Sequence, residues 1–161
     1  ETYLLLYEKL QEQIEPLTKR VRTLAKENHT AQLLMTIPGI GPITALFIIA
    51  EVDDISRFRS YRNLASYAGL VPSLDASAGK EKRGRITKQG SRYLRTALVE
   101  AAQAAARMQN CRLRIFFRRR IVKAGYQKAI VATAHKILQY AFYVWKNQTP
   151  YQETYPVCVT R

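Results

Sequence analysis

Apolar residues at Tyr3, Tyr7, Leu10, Ile14, Leu17, Val21 and Leu24 recur at alternating steps of four and three. That spacing predicts one helix over 3–28 with an a/d seam of about three heptads. Pro16 lies inside it and is expected to kink the helix or to mark a helix start. The seam suits two arrangements equally, a dimer interface or packing on the helix's own domain. From residue 30 the pattern stays helical with short breaks. Thr30 is a candidate cap for a helix to Thr36, Pro42 opens the next, and Ser60 caps one ending near Gly69. Residues 71–86 read as an ordered, irregular loop with room for a short strand. Thr87 is the expected cap of a long helix through "KQGSRYLRTALVEAAQAAARMQ", rich in alanine. Another helix runs from about Cys111 to Ala124, with Gly125 as its cap. The last, "QKAIVATAHKILQYAFYVWK", places Ile130, Ala134, Ile137, Ala141 and Val144 on one buried face. The expected fold is therefore all-α. It divides into a coiled-coil-like helix (1–29), a helical domain (30–147) and a loose tail (148–161).

The break within "TIPGIGPITALFIIAEV" is the first candidate for chemistry. Ile37-Pro38-Gly39-Ile40-Gly41 reads as a tight hairpin between two helices. Both glycines are expected to take positive φ, and Ile37, Ile40 and Ile43 to anchor the turn. Free N–H groups at the start of the second helix suit a phosphate. The order resembles a helix-hairpin-helix, which grips nucleic-acid backbone without reading bases. On that reading Pro38, Gly39 and Gly41 contact DNA. A plain turn between two helices is the simpler alternative.

Charge strengthens the nucleic-acid reading. The 161 residues carry 26 Lys and Arg against 12 acids, a net charge of +14. That balance favours a polyanionic partner. The densest run is Lys80, Lys82, Arg83, Arg85, Lys88, Arg92 and Arg95, opposed there by Glu81 alone. Lys88, Arg92 and Arg95 are spaced to share one face of the helix expected from Thr87. No apolar run is long enough to span a bilayer, and the start has no secretory signal, so a cytoplasmic, nucleoid-associated protein is expected and a membrane partner is not. Cys111 and Cys158 form no metal or disulfide motif, and no metal site is expected in this chain.

Ser77 lies in "DASAGK", between alanines and just before the cations. A serine needs a base or clustered cations to act as a nucleophile. A loop serine in a turn is the commoner case. Other enzymatic readings fit less well. A glycosylase-type hairpin enzyme calls for a catalytic Lys or Asp just after the hairpin, where Pro42-Ile43-Thr44 stands. A tyrosine recombinase calls for His-x-x-Arg, and neither His29 nor His135 is followed by it. Surface binding to membranes lacks the aromatic-interleaved amphipathic segment. A non-catalytic DNA- or RNA-binding module stays open as the alternative.

The stretches "IPGIGPITA", "DISRFRSYRNLASYAGLVPS", "SAGKEKRGRITKQGSRYLRTALVEAA" and "KAIVATAHKILQYAFYVW" together resemble a known family. It is the C-terminal domain of the insertion-sequence transposases numbered one-ten, one-sixteen and nine-oh-two, which include the Piv-type DNA invertases. The resemblance runs from about Leu33 to Trp145. It implies an RuvC-like N-terminal domain with an acidic tetrad and bound magnesium, a coiled-coil helix, and the present helical domain. The acidic tetrad does not occur here, so the chain is expected to be the C-terminal part of a longer recombinase. The family's serine, two glycines and lysine correspond to Ser77, Ala78, Gly79 and Lys80, with alanine in place of the first glycine. The resemblance thus implies that Ser77 is the nucleophile of DNA cleavage and rejoining through a phosphoserine link. It also implies guidance by a structured RNA. Lys80, Arg83, Arg85, Lys88, Arg92 and Arg95 would bind backbone, with Lys82 in the same run. Residues 3–28 would mediate homo-oligomerisation.

Overall fold

The computed structural model describes residues 2–77 and 80–153, with side chains described outside 73–85. It is a helical domain, and the all-α expectation is met apart from one β-ribbon. The helices are α1 (Thr2–Glu27), α2 (His29–Met35), α3 (Pro42–Val52), α4 (Tyr61–Tyr67), α5 (Arg92–Arg107), α6 (Arg112–Ala124) and α7 (Tyr126–Asn147). A single 3-10 turn, Ile55–Arg57, links α3 to α4. Between α4 and α5 the chain makes an antiparallel pair, β1 (Pro72–Ser77) and β2 (Lys80–Ile86). The segment expected to be an irregular loop with room for a short strand is therefore a two-stranded ribbon.

The core is built around α7. Its five predicted inward positions, Ile130, Ala134, Ile137, Ala141 and Val144, are all buried. So are Leu138, Phe142 and Trp145, which widen the buried arc and let α4, α5 and α6 pack around one helix. The polar group inside this helix is satisfied: Thr133 Oγ1 donates to the Ala129 carbonyl at 2.8 Å. Helix α5 contributes Leu94, Leu98, Ala101, Ala102 and Ala105. The run of alanines leaves little side-chain bulk between α5 and its neighbours, and backbones approach closely there.

Helix α1 runs through Pro16 without a break, so the proline neither starts nor ends it. Only its last turns touch the domain, through buried Ala25. Tyr3, Tyr7, Leu10, Ile14 and Leu17 of the a/d row are each at least half exposed. Beyond α7 the chain turns back: the Tyr151 N–H donates to Thr36 Oγ1 at 2.8 Å, and the Arg112 N–H donates to Glu153 Oε1 at 3.0 Å. Cys111 is buried at the start of α6 with a free thiol, whereas Cys158 lies outside the described residues.

Candidate nucleic-acid interface

The basic ribbon is the feature most nearly aligned with the sequence motif. Pairing runs Asp75 with Lys82, Ala76 with Glu81 and Ser77 with Lys80, so Ser77 and Lys80 face each other across the ribbon's end. Ala78 and Gly79 lie outside the described residues. Lys82, Arg83 and Arg85 follow on β2. The register is irregular between Pro72 and Leu74, and the extra residue adds a bend close to the base.

That base is tightly braced. The Thr87 N–H donates to the Val71 carbonyl and the Ser91 N–H to the Tyr67 carbonyl, at 2.9 and 2.8 Å. Gly90 has φ +123°, and a Cβ there would sit 2.0 Å from the Tyr67 oxygen, so only glycine fits. Ser91 Oγ accepts from the Leu94 N–H and donates to Glu51 Oε2 at 2.6 Å, which ties the start of α5 to the end of α3. Arg95 Nη1 donates to the carbonyls of Ala68 and Lys88 at 3.1 and 3.2 Å.

This geometry corrects the expected basic helix face. Thr87 does not cap α5; Ser91 does. Lys88 precedes the helix with φ +54°, so it cannot share a helix face with Arg92 and Arg95. Gly90 supplies the physical reason, because its positive φ is incompatible with a helix that starts before it. Arg95 is half-buried and braces two carbonyls, whereas Lys88 and Arg92 are exposed at the ribbon's foot.

The Pro-Gly turn lies elsewhere. Gly39 takes φ +91°, as expected, and is turned into the protein: a Cβ would lie 2.3 Å from the Ala101 oxygen and 2.9 Å from Ala105 Cβ. Gly41 does not take positive φ. Its φ is −97°, and a Cβ there would meet nothing within 4 Å. It stands at the N-cap of α3 without a side-chain cap, followed by Pro42. Ile37 and Ile40 are buried, but Ile43 is 56% exposed and does not anchor the turn. Pro38 is half-buried.

The turn and the ribbon therefore occupy opposite ends of α5. Gly39 packs at Ala101 and Ala105, whereas Glu51 at the far end of α3 meets Ser91. Ten to fourteen residues at 1.5 Å each place the two about 15–21 Å apart along the axis. Between them the exposed rings of Phe47 and Tyr93 lie 6.5 Å apart, beside Arg92 and Thr96.

The comparisons with known proteins agree with the family resemblance. The Transposase IS116/IS110/IS902 family model matches residues 31–118. This chain belongs to that family. It is 35% identical over 140 residues to the transposase for insertion sequence element IS1111A of Coxiella burnetii, a match covering 85% of this chain and 37% of that protein. It is 34% identical over 128 residues to the pilin gene-inverting protein of Moraxella bovis, covering 78% of this chain and 40% of that one. An IS110 protein of 43.6 kDa from Streptomyces coelicolor is 25% identical over 148 residues, 92% of this chain and 36% of that protein. The chain thus spans two fifths or less of the length of these relatives.

One basic surface has no counterpart in the motif. Residues 101–152 hold ten Lys and Arg and no acid, and six of the ten lie in α6. Its signal in the sequence is a long run of cations without an acid, remote from the Ser77 motif. Among the described residues no three His, Cys, Asp or Glu side chains converge as metal ligands, and no helix is long and apolar enough to cross a membrane.

Proposed function

We propose that this domain is the DNA-handling C-terminal part of a transposase-type recombinase and that Ser77 is its nucleophile. The observation that carries the reading is the ribbon: Ser77 and Lys80 are paired at its end, and Lys82, Arg83 and Arg85 follow on a strand braced at its base. The braced base anchors the ribbon beside the start of α5, and the proposal is that Ser77 is brought against a phosphate from there. The family membership supports it, since members bear the names transposase and pilin gene-inverting protein.

In the proposed reaction Ser77 Oγ attacks a backbone phosphorus. The bond from phosphorus to one sugar oxygen breaks, a phosphoserine diester forms, and the proton lost from the serine ends on the released sugar hydroxyl. Attack by a hydroxyl of the incoming strand reverses the step and frees Ser77. The neighbouring cations offset charge on the non-bridging oxygens as it develops. Magnesium, as the family resemblance implies it, would be held by the proposed acidic N-terminal domain. Guidance by a structured RNA is proposed as well, on the family resemblance alone. The Thr36–Gly41 turn, with Gly41 open and uncapped, serves as a helix-hairpin-helix grip on backbone phosphate. The exposed a/d row of α1 suits homo-oligomerisation through residues 3–28; sedimentation of the chain as a monomer at high concentration would contradict that.

The test compares wild type with Ser77→Ala in the full-length recombinase with its DNA and RNA partners. Binding should persist while recombinant product and protein–DNA adduct disappear. Product at the wild-type rate would remove Ser77 from the chemistry.

A further inference from the structure

We propose that the outer face of α6 is a second binding surface for the backbone of duplex DNA, separate from the ribbon. The inference rests on the reading that this domain handles DNA. Helix α6, "RLRIFFRRRIVKA", carries six cations and no acid. Leu113 and Phe117 bury one side against the core and leave Arg118, Arg119 and Lys123 exposed on the other. Among the described residues none of these three is in an ion pair; the ion pair described is Lys19 with Glu15, on α1. Arg119 and Lys123 are neighbours one turn apart, and like charges at that spacing destabilise a helix. A helix that accumulates this repulsion on an ordered, outward face is matched by a polyanion.

The chemistry favours a duplex backbone over single-stranded RNA, and duplex DNA is the duplex that the proposed function supplies. Surfaces that bind single-stranded RNA present exposed rings on which splayed bases stack. Helix α6 presents none: Phe117 is buried, and Phe116 is half-buried with the Arg120 guanidinium 5.3 Å over its ring. Between the cations stand Ile115 and Val122, aliphatic and unable to stack. The position is also distinct from the ribbon. Helix α6 starts just beyond the C-terminal end of α5, whereas the ribbon joins the N-terminal end, and the 16 residues of α5 span about 24 Å. That exceeds two Debye lengths at physiological salt, so the two basic surfaces act on separate stretches of backbone.

The experiment uses the whole chain and a 30-base-pair duplex of arbitrary sequence, followed by fluorescence anisotropy from 50 to 300 mM salt. The variant is Arg118→Gln/Arg119→Gln/Lys123→Gln, with helix content checked by circular dichroism and the single Arg119→Gln as a milder form. Counterion release predicts a salt slope shallower by about 2–3 for the triple variant and about 0.9 for the single one. Affinity of the triple variant should fall at least tenfold. An unchanged slope, or a loss seen only with a structured RNA hairpin, overturns the proposal. A parallel Lys82→Gln/Arg83→Gln/Arg85→Gln variant reports on the ribbon alone. If only that one is unaffected, the ribbon reading fails and this one stands. If wild type binds no duplex, both fail.

Discussion

The two glycines of "IPGIGP" make a sharp prediction because their surroundings are opposite. Gly39→Ala places a methyl group 2.3 Å from the Ala101 carbonyl oxygen and 2.9 Å from Ala105 Cβ, at φ +91°. Neither contact is a flexible side-chain end, so the turn must lift away from α5 or α5 must shift. Overpacking of this kind costs about 1–3 kcal/mol. Positive φ at a residue with Cβ adds about 1–2 kcal/mol. A total near 3–4 kcal/mol corresponds to a fall in Tm of roughly 6–15 °C for a chain of this size. Gly41→Ala meets nothing within 4 Å at φ −97°. Its modest N-cap loss is offset by lower entropy of the unfolded chain, leaving stability within about 0.5 kcal/mol of wild type. Urea unfolding of both variants reads the difference in midpoint directly. Anisotropy with duplex DNA adds the functional half: Gly41→Ala should weaken binding while stability is retained, because the methyl obstructs the open N–H groups of α3. A Gly39→Ala midpoint equal to wild type would refute the packing argument. Unaltered DNA affinity in Gly41→Ala would refute the grip.

Further predictions concern the brace, the core and pH. Arg95→Gln loses charged hydrogen bonds to two carbonyls at a half-exposed site, for about 1–2 kcal/mol in chemical unfolding. Arg92→Gln, at an exposed position, leaves stability within about 0.5 kcal/mol and weakens DNA binding. Leu98→Ala empties a fully buried site in α5 and costs about 2–5 kcal/mol, measured the same way. Burial, and secondarily the Lys136 charge, hold the His135 imidazole below its ordinary pKa beside the edge of the Tyr61 ring. The unfolded chain therefore takes up this proton first as pH falls. The contribution is whole above the unfolded pKa of about 6.5 and declines below it. Melting at pH 7.5 and at pH 5 should show a smaller acid-induced fall in His135→Gln than in wild type.

Helical periodicity made much of the fold legible. The five inward positions named for α7 are buried, because a 3.6-residue period is a local property that tertiary packing here reinforces. Features set by distant residues were not legible. The role of Gly39 depends on Ala101 and Ala105, more than sixty residues away in sequence. Thr87 and Ser91 are both credible caps; the contact of Gly90 with Tyr67 and the bond from Ser91 to Glu51 select the second. The second strand was not legible because "KEKRGRI" has no alternation of apolar and polar residues. The basic character of α6 is plain in its composition. Its confinement to an outward face depends on which side Leu113 and Phe117 bury. The separation of the Pro-Gly turn from the basic ribbon follows from α3 running antiparallel to α5, and no local pattern encodes that.

The most direct test of the central claim is to locate the covalent link. The full-length recombinase would be trapped on its DNA, digested with nuclease and trypsin, and the peptide Asn63–Lys80 sequenced by tandem mass spectrometry. That peptide contains three serines, Ser66, Ser73 and Ser77. The account predicts a nucleotide phosphodiester on Ser77 and none on the other two. An adduct on any other residue, with Ser77 unmodified, would contradict it.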